Sequence, residues 1–305
     1  MAKLDDRVNM TANAPQTTAA SGEDLNDLEI YKSYKASKYL SYKFTSYFPV
    51  YEELLSPMRG GKITFVEIGV LNGGSLFMWR NFFGDQARII GIDLNPQAKK
   101  WEEHGFEIFI GNQADESFWD GFLAAVGKVD VILDDGGHTN EQQVVTAHKC
   151  IPHINDGGLL IVEDTHTSYW AHFGNPSRYS FMVYSKRIVD GINSRFPEVE
   201  ASKNPLVNIV YSMSFYESIV CFKIDRTKCK PSVLLSNGGE TVLAQDFRYN
   251  DSRIGRLFEI QRNLKARFHF LSSVPLVRNV ARHAFQFVYF THQKRRSSKL
   301  RKYFT

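Results

Sequence analysis

The chain has 305 residues, 43% hydrophobic and 23% charged, with a formal net charge of +4. This ordinary globular balance supplies enough apolar material for a substantial core and excludes a fibrous or wholly disordered chain. No apolar run approaches the roughly 18 residues of a spanning helix, and three widely spaced cysteines exclude a disulfide scaffold and a CxxC zinc site.

Residues 1–26, rich in Thr, Ala, Asn and Ser without apolar periodicity, are predicted to be a disordered lead-in. They lack an apolar signal core, so a reducing, cytoplasmic setting is the default expectation. Between Leu28 and Pro57 one or two helices are expected, because Phe44, Tyr47, Phe48, Tyr51, Leu54 and Leu55 recur at helical spacing. Short apolar runs then predict strands at 64–69, 88–93, 106–110, 129–134 and 158–163, with helices between them, for example 74–83 and 140–152. Such alternation indicates βαβ units and a parallel sheet covered on both faces. Two further runs, 207–214 and 218–224, are joined by so few residues that they must form an antiparallel hairpin. The expected fold class is therefore α/β, a doubly wound Rossmann-like sheet of five parallel strands closed by a hairpin, with N-terminal helices. That topology favours the methyltransferase variant over a dinucleotide dehydrogenase. The domain is expected to span 27–245.

From residue 246 a basic helical extension is expected. Arg253 to Thr305 holds thirteen Lys and Arg against the single acid Glu259, whereas residues 1–252 are net acidic. Ile254, Leu257, Phe258, Leu264, Phe268 and Leu271 interleave with arginines and Lys265 as in a basic amphipathic helix. Residues 253–290 are expected to dock on the body or a twin subunit. Residues 291–305 are expected to meet an anionic membrane surface or glycan, which would make the protein peripheral at the inner face of a membrane. No specific nucleic-acid contact is expected, and a homo-oligomer is left open.

The first predicted strand runs into a turn, Glu67-Ile68-Gly69-Val70-Leu71-Asn72-Gly73-Gly74-Ser75, and then an apolar helix. Glycines there let backbone approach a ligand whose charged group sits at a helix N-terminus. Asp93 ends the second strand, where an acid accepts hydrogen bonds from a ribose diol. The turn reads GxxxGG, unlike the GxGxxG of nicotinamide-binding proteins. Glu67, Gly69, Gly73, Gly74, Ser75 and Asp93, with Gln113, Asp115 and Asp134 on the neighbouring strand ends, are thus candidate contacts for a nucleoside cofactor. A crossover packed by glycines, with Asn112, Asp115 and Asp134 as helix caps, is the structural alternative.

The fourth strand ends in Asp134-Asp135-Gly136-Gly137-His138 and the fifth in Glu163-Asp164-Thr165-His166. Neighbouring strands lie about 4.8 Å apart, so Asp135, Glu163 and Asp164 would converge at the carboxyl edge of the sheet. Three carboxylates together repel unless a cation or proton relieves them, and an oxygen-only set suits Mg²⁺ or Mn²⁺. His138, with an ordinary pKa near 6.5, is placed to act as a general base. His166, Tyr169 and Trp170 follow the acidic pair and are candidates to face a substrate. Caps and turn residues are the alternative for each.

Together these pieces resemble a bacterial family of metal- and S-adenosylmethionine-dependent sugar O-methyltransferases, the macrocin and mycinamicin type. VEIGVLNGGSLFMWR, ARIIGIDLNP, IGNQADESFW, VDVILDDGGHTNEQQ, GGLLIVEDTHTSYW and SFYESIVCF carry the resemblance, over roughly residues 38–225. The paired DDGGH and EDTHTSYW motifs are its specific part. The resemblance implies S-adenosylmethionine as cofactor, metal ligands at Asp135, Glu163 and Asp164, His138 as base, and a sugar hydroxyl as methyl acceptor. Two rival functions fit less of the sequence. A non-catalytic cofactor-binding module with a recruiting tail leaves the carboxylates unexplained, and a nicotinamide sugar oxidoreductase is disfavoured by the turn and the hairpin.

Overall fold

The computed structural model describes residues 24–173, 177–197, 199–240 and 252–267, and in the tail residues 283, 286–288, 290, 291, 294 and 298–303. The expectation for the lead-in falls almost wholly on residues outside this set, as does much of that for 268–297. The chain divides into two compact units, Met1–Leu234 and Leu235–Thr305.

Seven strands form one sheet in the first unit. They are β1 (Thr64–Ile68), β2 (Arg88–Asp93), β3 (Glu107–Ile110), β4 (Val129–Asp134), β5 (Ile154–Val162), β6 (Val210–Tyr216) and β7 (Ile219–Ile224). Their order is β3-β2-β1-β4-β5-β7-β6, with β1 to β5 parallel and β7 antiparallel to both neighbours. The expected five parallel strands and terminal hairpin are both present. The hairpin turn sits at Glu217-Ser218, two residues later than the apolar runs suggested, because β6 continues to Tyr216 opposite Ile219. β5 starts earlier than expected, at Ile154 opposite Val129.

The central strands read as apolar runs because both of their faces are covered. On one face Phe65, Val131, Leu133 and Ile161 pack with α2 (Tyr47–Leu55) and α3 (Gly74–Phe83), through Tyr47, Tyr51, Leu76 and Trp79. On the other, Val66, Ile68, Ile132 and Leu160 pack with Trp119 of α4 (Glu116–Val126), Ala147 of α5 (Asn140–Cys150) and Ile188 of α6 (Phe181–Asn193). The leading region forms two helices, α1 (Glu29–Lys35) and α2, separated by residues 36–46, which are neither helix nor strand. Phe44 therefore lies outside the helix into which its spacing placed it, and its side chain is exposed. Pro49, tolerated in a first turn, is the third residue of α2.

Register brings the chemistry to one edge. Ile68 lies opposite Asp134 and Asp134 opposite Val162, so the chain leaves β1, β4 and β5 side by side at Gly69, Asp135 and Glu163. Gly69, at φ 95°, takes a left-handed bend, and a Cβ on it would lie 2.1 Å from the Asp135 carbonyl oxygen. Only glycine lets β1 and β4 splay open that closely. In the second unit, Ser252–Arg267 forms a helix, α7, over the segment expected to be amphipathic. No helix among the described residues is long and apolar enough to cross a membrane.

Candidate active site

The glycine turn is tied to β2 by Asp93. One oxygen, Oδ2, accepts the backbone N–H groups of Val70 and Leu71 at 2.9 Å, and Oδ1 accepts that of Asn95 at 2.8 Å. A carboxylate has about four lone-pair directions, so one remains for a hydroxyl donor at this partly exposed position. Gly73 caps α3 in the left-handed region, and a Cβ there would strike the Trp101 ring at 2.3 Å. Gly74 is approached as closely by the Tyr39 and Leu40 carbonyls.

Glu67 and Ser75 belong to the support of this turn. Glu67 is fully buried and accepts hydrogen bonds from Ser75 Oγ at 2.7 Å and Trp79 Nε1 at 3.0 Å, pinning α3 onto β1. Burial pushes its carboxyl up to about 7, against the pull of Lys43 and the two hydrogen bonds. Gln113 and Asp134 are likewise buried; Gln113 uses its amide within the protein, while Asp134 Oδ2 is buried without a hydrogen-bond partner. The Gln113 amide donates to Asp134 Oδ1 at 2.9 Å and accepts from the Gly137 N–H at 2.9 Å, tying the loop after β3 to the loop after β4. Asp115 caps α4 by accepting from Ser117 N, the structural alternative weighed for it.

Beside this turn, at the strand ends the register aligns, Asp135 and Asp164 share a cluster with His138, whereas Glu163 stands outside that cluster and is joined to Asp135 through Lys43. Consecutive residues of an extended chain point to opposite faces. Asp164 escapes that rule by turning left-handed, at φ 53° and ψ 33°, and its carboxylate meets His138 and Tyr47. His138 is left-handed too, at φ 57°, and puts Nε2 3.3 Å from Asp164 Oδ2 and 3.9 Å from Asp135 Oδ1. Its Nδ1 is buried without a hydrogen-bond partner. Asp135, His138 and Asp164 each offer a ligand atom, all within 4.8 Å of one another. Thr167 Oγ1 bonds both the His138 and Asp164 carbonyls, clamping the two loops together.

Three residues of the leading segment, Lys43, Tyr47 and Tyr51, complete the cluster. Tyr47 and Tyr51, one turn apart on α2, donate to Asp164 Oδ1 at 2.5 Å and to Glu163 Oε1. Lys43 Nζ donates to Asp135 Oδ2 at 2.7 Å and to both Glu163 oxygens at 2.9 and 3.0 Å. Burial works against the Lys43 ammonium, but Asp135 and Glu163 outweigh it and hold its pKa above that of a free lysine. Tyr47 and Tyr51 are held above the usual phenol range by burial and by the carboxylates they serve. Only the i, i+4 spacing of the tyrosines hinted at a shared face.

The substrate candidates line the outer side. His166 Nδ1 pairs with Ser218 Oγ at 2.5 Å, and its ring packs edge-on to Trp170, with centroids 4.7 Å apart, and to Phe44 at 6.2 Å. Tyr169 is 61% exposed and Trp170 38%.

Residues 66–165 match a family described as a methyltransferase domain. The resemblance to the macrocin and mycinamicin enzymes is also borne out. The chain is 32% identical over 177 residues to demethylmacrocin O-methyltransferase of Streptomyces fradiae, covering 55% of this chain and 42% of that protein. It is 32% identical over 149 residues to mycinamicin VI 2''-O-methyltransferase of Micromonospora griseorubida, covering 46% and 37%. The match thus spans less than half the length of these relatives. Among solved structures, the mycinamycin-pathway methyltransferase MycE in complex with Mg and SAH aligns at a TM-score of 0.58 and 25% identity, over 78% of this chain and 61% of that one.

Glu67 yields a pH prediction. Its folded-state pKa near 7 lies above the 4.5 of an unperturbed glutamate, so its contribution to stability is complete below about pH 4.5 and is lost as pH rises through 7. The loss is about 3 kcal/mol. Glu67→Gln should flatten the stability profile between those pH values and be relatively stabilising at pH 8. Urea unfolding across the range checks this, and a wild-type slope retained in the variant refutes it.

Proposed function

We propose that this chain transfers a methyl group from S-adenosylmethionine to a hydroxyl of a sugar, in a glycan or a glycosylated natural product. A divalent cation, Mg²⁺ or Mn²⁺, would be held by Asp135, Glu163 and Asp164. The observation that carries the reading is the meeting of Asp135, His138 and Asp164 at the strand ends, with Glu163 linked to Asp135 through Lys43. Its O-methyltransferase relatives support it, as do the Mg and SAH in the MycE complex. The donor set fits a hard cation, because it is built of carboxylate oxygens with one imidazole and no thiolate.

When bound, the cation would supply Lewis acidity that lowers the pKa of the acceptor hydroxyl, and S-adenosylmethionine an electrophilic methyl group. The chain's own groups do the positioning. Asp93 would take a ribose hydroxyl on its remaining lone pair while its other bonds fix the turn. Tyr47 holds Asp164 Oδ1, leaving Oδ2 toward His138, and Tyr51 holds Glu163 Oε1. His138 Nε2, facing the cluster, would accept the proton leaving the acceptor hydroxyl. His166, Tyr169 and Trp170, with Phe44 beside them, would offer aromatic faces to a sugar ring. Gln113 and Asp134 would act on the cofactor edge indirectly, by fixing the loops that border it.

Asp135→Asn or Glu163→Gln should abolish methyl transfer while S-adenosylmethionine binding, followed by calorimetry, largely persists. Full activity in either variant, or in EDTA, removes the cation from the mechanism. His138→Ala should lower turnover by roughly 10²–10⁴-fold, and an unaltered pH–rate profile in it would discharge His138 as the base.

The basic extension belongs to the same proposal. Six cations, Lys294, Arg295, Arg296, Lys299, Arg301 and Lys302, crowd its end, and each contributes about 1 kcal/mol near an anionic leaflet. A membrane contact there would point to a lipid-linked or envelope glycan as acceptor. Full-length protein should co-sediment with anionic liposomes at low salt and a chain ending at Phe290 should not; equal binding refutes the contact.

A further inference from the structure

The cluster already holds a cation of its own. The Lys43 side chain is 1% exposed, and its ammonium donates once to Asp135 and twice to Glu163. Glu163 accepts these two bonds and one from Tyr51, so Lys43 occupies both of its oxygens and leaves about one lone-pair direction, on Oε2, for any other cation. Asp135 has likewise given Oδ2 to the lysine and retains Oδ1 toward His138. An ammonium and a divalent ion therefore compete for the oxygens of Glu163.

Lys43 also sits where it can leave. It belongs to residues 36–46, the stretch between α1 and α2 with no helix or strand to hold it. Its neighbours Leu40, Tyr42 and Phe44 are more than half exposed, so its inward ammonium is the stretch's hold on the carboxylates. Upstream, Ser37 Oγ donates to the Gly74 carbonyl at 2.7 Å and Tyr39 packs on Trp101 with centroids 4.6 Å apart. One strap thus spans the glycine turn and the acidic cluster.

We propose that Lys43 is a displaceable internal counter-ion, and that a divalent cation enters the Asp135–Glu163–Asp164 cluster by expelling it and lifting the 36–46 strap. The inference rests on the metal assignment made under the proposed function. It adds an exchange in which one cation replaces another, so that the carboxylates are never left facing one another bare. The lysine then competes with the metal, and the apparent metal affinity is reduced by the fraction of molecules in which Lys43 is in place.

Two measurements on the full chain test this without reference to turnover. In EDTA-stripped wild-type protein, Lys43 should resist acetylation by a lysine-reactive ester, followed residue by residue by mass spectrometry. Saturating Mn²⁺ should raise its reactivity by about tenfold or more. Lys43→Met should tighten Mn²⁺ binding, read from the electron paramagnetic resonance signal of free Mn²⁺, by about tenfold or more. Unchanged or weaker Mn²⁺ affinity in the variant, or a Lys43 that stays protected at saturating Mn²⁺, overturns the exchange and leaves the metal assignment standing. Wild-type protein that binds no Mn²⁺ removes the metal assignment itself, and the exchange with it. The acetylation measurement uses the native sequence, so it decides the matter even where Lys43→Met does not fold.

Discussion

Like charges set close together repel strongly in a partly buried setting, and strand register together with the left-handed turn at Asp164 gathers Asp135, Glu163 and Asp164 at one edge of the sheet. β4 and β5 end level with one another, and the left-handed Asp164 adds a third carboxylate to two that were already adjacent. Much of the surrounding architecture answers this repulsion. Two phenols on α2 and one ammonium from the strap donate into the cluster, and His138 closes its open side. The leading segment is therefore part of the site as well as a covering for the sheet.

Backbone strain is gathered at the same edge. Among the described residues, four that are not glycine have positive φ: Leu71, His138, Asp164 and Ser218. Leu71 lies in the glycine turn, and Ser218 bonds both Tyr47 and His166. Such conformations cost of order 1–3 kcal/mol each and persist only where the surroundings over-determine them. Here the Thr167 clamp and the buried Gln113–Asp134 pair supply that determination. The scaffold spends stability where side chains must be aimed and nowhere else among these residues.

The sheet was legible in the sequence because strands buried on both faces are written as unbroken apolar runs, and a three-residue connection admits a single topology. The acidic strand ends were legible for the same reason, since a strand's end fixes where its next residue lies. What the sequence could not display was which partners these acids meet. Lys43 bonds residues 92 and 120 positions away, and Tyr47 a residue 117 away. No local periodicity encodes such pairs, and an aromatic, lysine-rich stretch looks the same whether it packs, binds or covers. Gln113 and Asp134 were obscured differently. A polar residue at a strand end reads alike whether it faces a ligand or another side chain, and only burial separates the two.

The position of β7 has a bearing on synthesis. It is the last strand among the described residues, yet it lies between β5 and β6, so β6 has no neighbour to pair with until residues 219–224 exist. On the ribosome, β1 to β5 can associate in turn as each crossover emerges, but β5 keeps a bare apolar edge until the hairpin arrives. The left-handed Ser218 at the hairpin tip also bonds Tyr47 and His166. Closure of the sheet and completion of the site are thus one late event, and a nascent chain halted before residue 219 would present both an aggregation-prone edge and an unfinished acidic cluster.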